Sequence, residues 1–364
     1  MQSKDLKALQ RALAASGNEW IAGATPFSAM SADEFRFRLG AEPPGGEAAL
    51  YQREQGAKAR LLEAVAAADE AGAPPAWDWR STNGSNYLGD LRDQKNCGSC
   101  VAFGAIAAIE GTTRVTERKP DLRIDLAEAH LFYCHAAAEG RNCGNGWWPD
   151  AALNAARSKG IVDEACFPYT PGDQACRLCS DATSRTVKIK AWSSLGTIAE
   201  MKTWLSTRGP LIGCFAVYDD FRAYKSGVYR HLSGALLGGH CICVVGYSDS
   251  DGAWIIRNSW GPDWAEQGYG RIAYGEVGLD HEMWAVETLS QTDVVVTPTK
   301  LENALISGLW TNAQAPLAQA FIAGTGWRKL ASPNLVTLAA AARVARARCT
   351  IGLSGDTIVE IYVF

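Results

Sequence analysis

Three kinds of apolar pattern follow one another along the chain. Near the amino terminus, Leu6, Leu9 and Leu13 recur at helical spacing and mark one face of a short helix. Ser31-Ala32-Asp33-Glu34 has the form of a capping box ahead of a second helix. A third helix is predicted from Gln52 to Ala71, a stretch rich in Ala, Glu, Lys and Arg that ends in the linker-like Gly72-Ala73-Pro74-Pro75. In the middle of the chain, Val101 to Ala108 is wholly apolar or small and predicts a buried helix. Gly238 to Tyr247 and Trp254 to Arg257 are strand-like; His240 interrupts the first, and Asn258 ends the second. Beyond a Thr/Val/Pro-rich linker at Gln291 to Lys300, short apolar runs occur at Ala304 to Trp310, Ala318 to Ala323 and Thr357 to Phe364. Gly-, Pro- and Asn-containing turns separate them, which predicts a small β-rich module. Ala339 to Ala347, rich in Ala and Arg, fits either a helix or a charged strand.

Chemistry enters with Asp93-Gln94-Lys95-Asn96-Cys97-Gly98-Ser99-Cys100, which leads directly into the apolar helix. A thiol in a first helical turn meets unpaired backbone N–H groups and the positive end of the helix dipole, and both favour the thiolate. A base and a group to orient it are then required. His240 stands 140 residues after Cys100, and Asn258 stands 18 further on, inside Asn258-Ser259-Trp260-Gly261. That order and spacing match the papain and cathepsin pattern of Cys, His and Asn.

On these blocks, from about Trp77 to about Leu289, the chain resembles the papain family of cysteine peptidases. The resemblance implies an α+β fold of two lobes, a helical one opening with Cys100 and a β-barrel-like one holding His240 and Asn258, with the active site in the groove between them. It implies peptide-bond hydrolysis by a Cys100 thiolate and a His240 imidazolium, with Asn258 holding the ring in plane. Gln94 matches the oxyanion residue, and Trp260, with Trp264 nearby, is expected to shield the His240–Asn258 bond. Val101 departs from the aromatic residue usual after the nucleophile, and Gly239 from the polar residue many members carry before the histidine. Neither change removes a catalytic group. No cofactor or metal is implied, and His130, His135, His231 and His281 lack metal-ligand spacing.

Of the 11 cysteines, the resemblance pairs Cys97 with Cys143 and Cys134 with Cys176. Cys166 and Cys179 are candidates for a third bridge without family support. Cys214, Cys241, Cys243 and Cys349 lie in apolar strand-like settings and read as buried thiols. Gly98 and Ser99 precede the nucleophile at the cleft, and the resemblance places Asn145, Gly146, Trp148 and Pro149 on its unprimed side. Trp148, Pro149, Gly239 and Cys241 are expected to wall the subsite for the second residue before the scissile bond. Glu282, where cathepsin B also has Glu, would lie at its floor and admit basic as well as hydrophobic residues; a surface salt bridge is the other reading of Glu282. No His-rich insertion of the kind that makes cathepsin B trim dipeptides is present, so endopeptidase activity is expected.

The same resemblance extends to residues 1–75. Gly23, Thr25, Phe27 and Ala29 have the alternate spacing of a motif in the family's inhibitory propeptide, although only Gly and Phe agree with it. An intramolecular prosegment lying across the cleft is therefore expected, with an ordinary helical cap as the alternative; Trp77-Asp78-Trp79-Arg80 is similar to the start of a mature enzyme. The expected divisions are 1–75, a peptidase domain at 76–290, a linker at 291–300 and a module at 301–364 that binds a substrate or surface or simply packs. A net charge of −4 with no basic tract points to protein or peptide substrates and away from nucleic acid and anionic membranes. Disulfides point to a secreted or otherwise extracytoplasmic site, whereas Met1 to Leu6 opens no apolar signal-peptide core. A peptide ligase or acyl transferase using the same thioester, and a non-catalytic scaffold, are the rival readings.

Overall fold

The computed structural model describes residues 3–18, 20–66, 72–289, 299–311, 318–330, 333–354 and 357–363. It divides into two compact units, Met1–Pro120 with Leu126–Val294 and Asp121–Asp125 with Val295–Phe364. The larger unit combines helices with a mixed sheet, the α+β class expected.

Its first segment contains α1 (Ser3–Ser16), β1 (Ile21–Ala22), α2 (Ala32–Arg36) and α3 (Gly46–Ala66). Leu9 and Leu13 of α1 are buried as the apolar spacing required. Ser31 and Glu34 form the reciprocal capping box at α2, whose Phe35 is fully buried. Helix α3 begins earlier than the predicted Gln52: a turn closed by the Gly46 amide on Pro43 O leads straight into it. Residues 67–71, the end of that predicted helix, lie outside the described residues. Leu50, Arg53, Glu54 and Ala57 form its buried stripe at i, i+3, i+4 and i+7.

The linker-like Pro74-Pro75 is tied down, since Tyr247 Oη donates to Pro74 O and the Asp249 amide to Pro75 O. The chain then forms β2 (Ala76–Asp78), α4 (Cys100–Glu117), α5 (Pro149–Ser158) and α6 (Ala182–Arg185). The Cys97–Cys143, Cys134–Cys176 and Cys166–Cys179 disulfides staple the loops around these helices, and Cys214, Cys241, Cys243 and Cys349 are buried free thiols.

Next come β3 (Trp192–Leu195), α7 (Ile198–Thr207), β4 (Leu211–Tyr218), β5 (Tyr224–Ser226), β6 (Val228–Tyr229), β7 (Leu236–Ser248), β8 (Ala253–Arg257), β9 (Tyr269–Ala273) and β10 (Met283–Val286). They form a sheet in the order β3-β10-β4-β7-β8-β9-β6, with β2 also on β7 and β1 paired separately with β5. One apolar core joins Leu9, Trp20, Phe27, Phe35 and Leu50 of the first segment to Phe215, Phe221, Trp260 and Trp264 of the sheet lobe.

The smaller unit contains β11 (Thr299–Thr311), β12 (Ala318–Ile322), β13 (Gly326–Leu330), α8 (Pro333–Ala345), β14 (Arg348–Ser354) and β15 (Thr357–Val363). Its strands close into a barrel in the order β11-β12-β13-β15-β14, antiparallel except for β13 with β15. The Ala/Arg-rich run is helical as far as Ala345, because Ala339 and Ala342 face the barrel core. Residues 290–298, most of the predicted linker, lie outside the described residues.

Candidate active site

Cys100 opens α4, and Ser99 occupies the N-cap without capping it, because its Oγ pairs with Tyr169 Oη at 2.9 Å. The Val101 amide therefore stays available to the sulfur, while those of Ala102 and Phe103 donate to Ser99 O. Backbone amides of Cys241, Gly40 and Val101 point at Cys100 Sγ, which places the thiol beside β7 at the residue that follows His240. His240 Nε2 donates to Asn258 Oδ1 at 2.8 Å, and the Ser259 amide holds the same oxygen at 2.8 Å. This puts the ring proton on Nε2 and leaves a lone pair on Nδ1, which has no hydrogen-bond partner among the described residues. Trp260 stacks on the imidazole with ring centroids 4.5 Å apart, and Trp264 packs edge-on behind it.

Gln94 is fully buried and doubly fixed. Ser259 Oγ donates to its Oε1 at 2.7 Å, and its Nε2 donates to Cys97 O at 2.8 Å and to Arg38 O at 3.1 Å. The last contact puts a carbonyl of the first segment against the amide that the sequence marked as an oxyanion donor.

The first segment threads the groove at Gly40 to Glu42. The amides of Gly40 and Ala41 donate to Gly239 O, Trp147 N donates to Gly40 O, and Glu42 N donates to Trp147 O, making a parallel bridge between Ala41 and Trp147. There is no room for a side chain: a Cβ on Gly40 would lie 1.9 Å from Gly98 O, and one on Gly146 would lie 2.2 Å from Gly40 O. Phe27 and Phe35 cover Trp260 edge-on.

Burial sets the electrostatics. It pushes the Cys100 thiol up to about 12, with the neighbouring Cys214 adding to the effect. Burial likewise takes His240 down to about 4, and Arg38 opposes its protonation while the bond to Asn258 supports it. In this arrangement the pair is a neutral thiol and a neutral imidazole.

Trp148 is at the N-cap of α5 with Pro149 in its first turn. Glu282 forms an ion pair with Arg53 of α3 at 3.1 Å, and the guanidinium lies over the rings of Trp148 and Trp284. Gly239 meets Ala41 O and Leu50, and Cys241 lies on the face of β7 toward α4. Asn145 folds back on its own exposed loop, accepting from the Asn142 amide and donating to Gly140 O. The other histidines have structural partners: His130 Nδ1 accepts from the Val162 amide, His135 bonds Gly160 O, His231 pairs with Asp220, and His281 lies against Gly56.

Sequence reasoning missed Trp147, Ser259, Arg38, Gly40, Arg53 and Trp284. Ser259 stood unassigned inside the Asn-Ser-Trp-Gly block, and Arg53 was a cation in line with Leu50 and Ala57 on one face of α3. Those two signals were readable; Trp147 and Gly40 act through their backbones.

With this geometry in place, comparison with known proteins is decisive at the level of family. The papain family cysteine protease profile matches residues 73–287. A cathepsin B-like protein, CP3, of Giardia intestinalis is 35% identical over 225 residues, covering 58% of this chain and 73% of that one. Cysteine proteinase 1 of Entamoeba histolytica is 33% identical over 251 residues, covering 67% and 73%. Among solved structures, procathepsin B S9 from Trypanosoma congolense superposes with a TM-score of 0.62 at 24% identity, over 79% of this chain and 98% of that one. Procathepsin L 3 of Tenebrio molitor gives 0.60 at 23% identity, over 78% and 89%. The chain belongs to the papain family of cysteine proteases.

Proposed function

We propose that this chain is the latent form of an endopeptidase in which Cys100 is the nucleophile, His240 the base and acid, Asn258 the orienting group and Gln94 an oxyanion donor. The observation that carries this reading is His240, fixed through Nε2 by Asn258 with Nδ1 left without a partner among the described residues, on the strand whose next residue, Cys241, turns its amide toward Cys100 Sγ. Once the groove is open, His240 takes the Cys100 proton and the sulfur attacks the scissile carbonyl. The oxyanion settles between Gln94 Nε2 and the Cys100 amide, and the imidazolium protonates the leaving amine. Water then cleaves the thioester with His240 as base.

Residues 1–75 act as the inhibitory prosegment, 76–290 as the peptidase and 301–364 as a separate module, at an extracytoplasmic site where the three disulfides persist. The prosegment blocks the groove sterically at Gly40, occupies the Gln94 amide and brings Arg38 against the imidazole. Acid favours opening. His240 and His281 both sit near 4 in the closed chain, and opening returns them toward about 6.5. The closed state binds fewer protons, so its advantage is complete above pH ~6.5 and falls as pH drops toward ~4. Burial raises the carboxyl of Glu54, which works in the opposite direction.

Labelling with an epoxide cysteine-peptidase inhibitor, before and after acid incubation, tests the assignment. Cys100 should be modified only after acid, with a new amino terminus near Ala73 to Trp77 and a gain in peptide hydrolysis. An unmodified Cys100 in both states would leave the scaffold reading standing. Gly40→Ala should raise turnover by the uncut chain roughly ten- to hundredfold, since the added methyl meets rigid backbone. Turnover equal to that of the parent chain would mean that Gly40 is not the constriction.

The Arg53–Glu282 pair over Trp148 and Trp284 favours basic residues second before the scissile bond. Glu282→Gln should lower the Arg-to-Leu preference there roughly tenfold, the value of a charge-assisted hydrogen bond. A ratio that does not move removes Glu282 from selection.

We assign the C-terminal barrel a binding role on one outer face. Gly308, Phe321 and Trp327 are in register across β11, β12 and β13, as are Trp310, Gln319 and Lys329. Trp310 and Trp327 are each 47% exposed, and residues 299–364 carry six Lys or Arg against three Asp or Glu. Flat indoles beside a cation suit the rings of an acidic polysaccharide. Trp327→Ala should weaken retention on such an insoluble polymer while leaving peptide turnover by the activated enzyme intact; undiminished retention would exclude this face.

A further inference from the structure

The catalytic chemistry uses one thiol, yet three lie together. The β4–β7 register sets Cys214 directly opposite Cys241, and both are fully buried. Directly opposed strand residues have their side chains on the same face of the sheet, with Cβ atoms about 4.5–5.5 Å apart. That face meets α4: Cys241 Sγ lies 3.0 Å from where a Cβ on Gly104 would be. Gly104 is one helical turn beyond Cys100, so the two sulfurs share one helix face. The missing side chain at Gly104 is what admits the Cys241 sulfur. The Cys241 amide also points at Cys100 Sγ, and Cys241 and Cys214 are in thiol–thiol contact. No disulfide joins any of the three, whereas all six loop cysteines around them are paired.

We propose that Cys214 and Cys241 form a resolving pair that captures Cys100 after oxidation by a peroxide, so that the nucleophile is a reversible modification site. This rests on Cys100 being the reactive thiolate of the opened enzyme. The Cys100 thiolate attacks one oxygen of hydrogen peroxide, the O–O bond breaks and hydroxide leaves, giving a sulfenic acid. The thiol of Cys241 or Cys214 then attacks the oxidised sulfur, the S–O bond breaks, and the departing oxygen leaves as water while a disulfide forms. A dithiol supplies two electrons and two protons to restore both thiols. Without a neighbouring thiol the sulfenic acid advances to sulfinic acid, which a dithiol does not reverse. In the closed chain, burial keeps Cys100 protonated and the Gly40 backbone lies over its sulfur, so the site exists only after opening.

The test exposes the acid-activated full chain to dilute hydrogen peroxide and follows activity relative to each variant's own starting value. The parent enzyme should lose at least tenfold and recover nearly all of it on brief treatment with dithiothreitol. Non-reducing peptide mapping should show the Cys100 peptide joined to that of Cys214 or Cys241 with the loss of two hydrogens. The double variant Cys214→Ala/Cys241→Ala should be inactivated without recovery and carry two extra oxygens on Cys100. Should the double variant not fold, each single variant is mapped instead, and the link should move to the remaining thiol. Recovery of the double variant equal to the parent's, or a parent enzyme that ends as sulfinic acid with no link, overturns the proposal. If acid-treated enzyme neither hydrolyses peptides nor takes the epoxide label, the catalytic reading itself has failed, a result distinct from irreversible peroxide loss in an active enzyme.

Discussion

Replacing Gln94 with Ala is expected to lower kcat of the activated enzyme by about 10²–10³ with little change in KM, the usual cost of one oxyanion donor. The side chain is rigidly held. Its carbonyl end is pinned by Ser259 Oγ and its backbone amide by Ser259 O, so the carboxamide cannot rotate away when a substrate arrives. Its Nε2 already donates to a carbonyl oxygen, that of Arg38, so the position suits a developing oxyanion. A donor that strengthens as charge builds affects the transition state more than the ground state, which is why kcat should fall rather than KM rise. Ser259→Ala should show a smaller loss of the same kind, because it removes the orientation but not the donor. Steady-state kinetics on one peptide substrate decides: a Gln94→Ala enzyme that changes only KM would make Gln94 a ground-state contact.

The placement of Cys100 at the start of α4, the His240–Asn258 bond and the burial of Gln94 against Ser259 agree with the short sequence blocks that suggested them, because such blocks keep their order whatever the fold around them. The disulfides at Cys97 and Cys134 came from the same likeness. The path of the prosegment was not legible, because its decisive residues act through backbone: Gly40 by lacking a side chain, Trp147 by its amide and carbonyl. Helix α3 starts before Gln52 because Glu47, Ala48, Ala49 and Leu50 are strong helix formers; the Pro43-Pro44-Gly45-Gly46 turn directly before them hides that start in the sequence. In the C-terminal module, Gly326–Leu330 escaped notice because Trp327 and Lys329 are exposed while only Leu330 is buried, so the strand lacks a strong apolar alternation. The Ala/Arg-rich run was ambiguous for a related reason: its buried residues are Ala339 and Ala342, too small to announce a core, while the larger Leu335 of the same helix lies before the run.

The closed chain should be nearly inert to alkylation at Cys100, and opening should accelerate that reaction about a thousandfold at neutral pH. Only the thiolate is alkylated, and with its thiol pushed up to about 12 the closed chain holds almost none of it at pH 7. Burial is the main cause, so exposing the groove removes most of the shift; a return to about 8.5 alone multiplies the thiolate fraction by roughly 10³. Departure of Arg38 adds to this in the same direction, because it lets His240 take the proton and stabilise the thiolate as an ion pair. The opened enzyme should therefore react well below pH 8.5, with an acid limb set by formation of that pair, whereas the closed chain should stay slow until the pH approaches about 12. Iodoacetamide rates for the uncut and acid-processed chains, read by mass at the Cys100 peptide, make the comparison directly. In His240→Ala the acid limb should move up toward the ordinary thiol value while the gain on opening shrinks but persists. Equal rates in the two forms would show that the prosegment governs access for large substrates only and leaves the protonation of the thiol untouched.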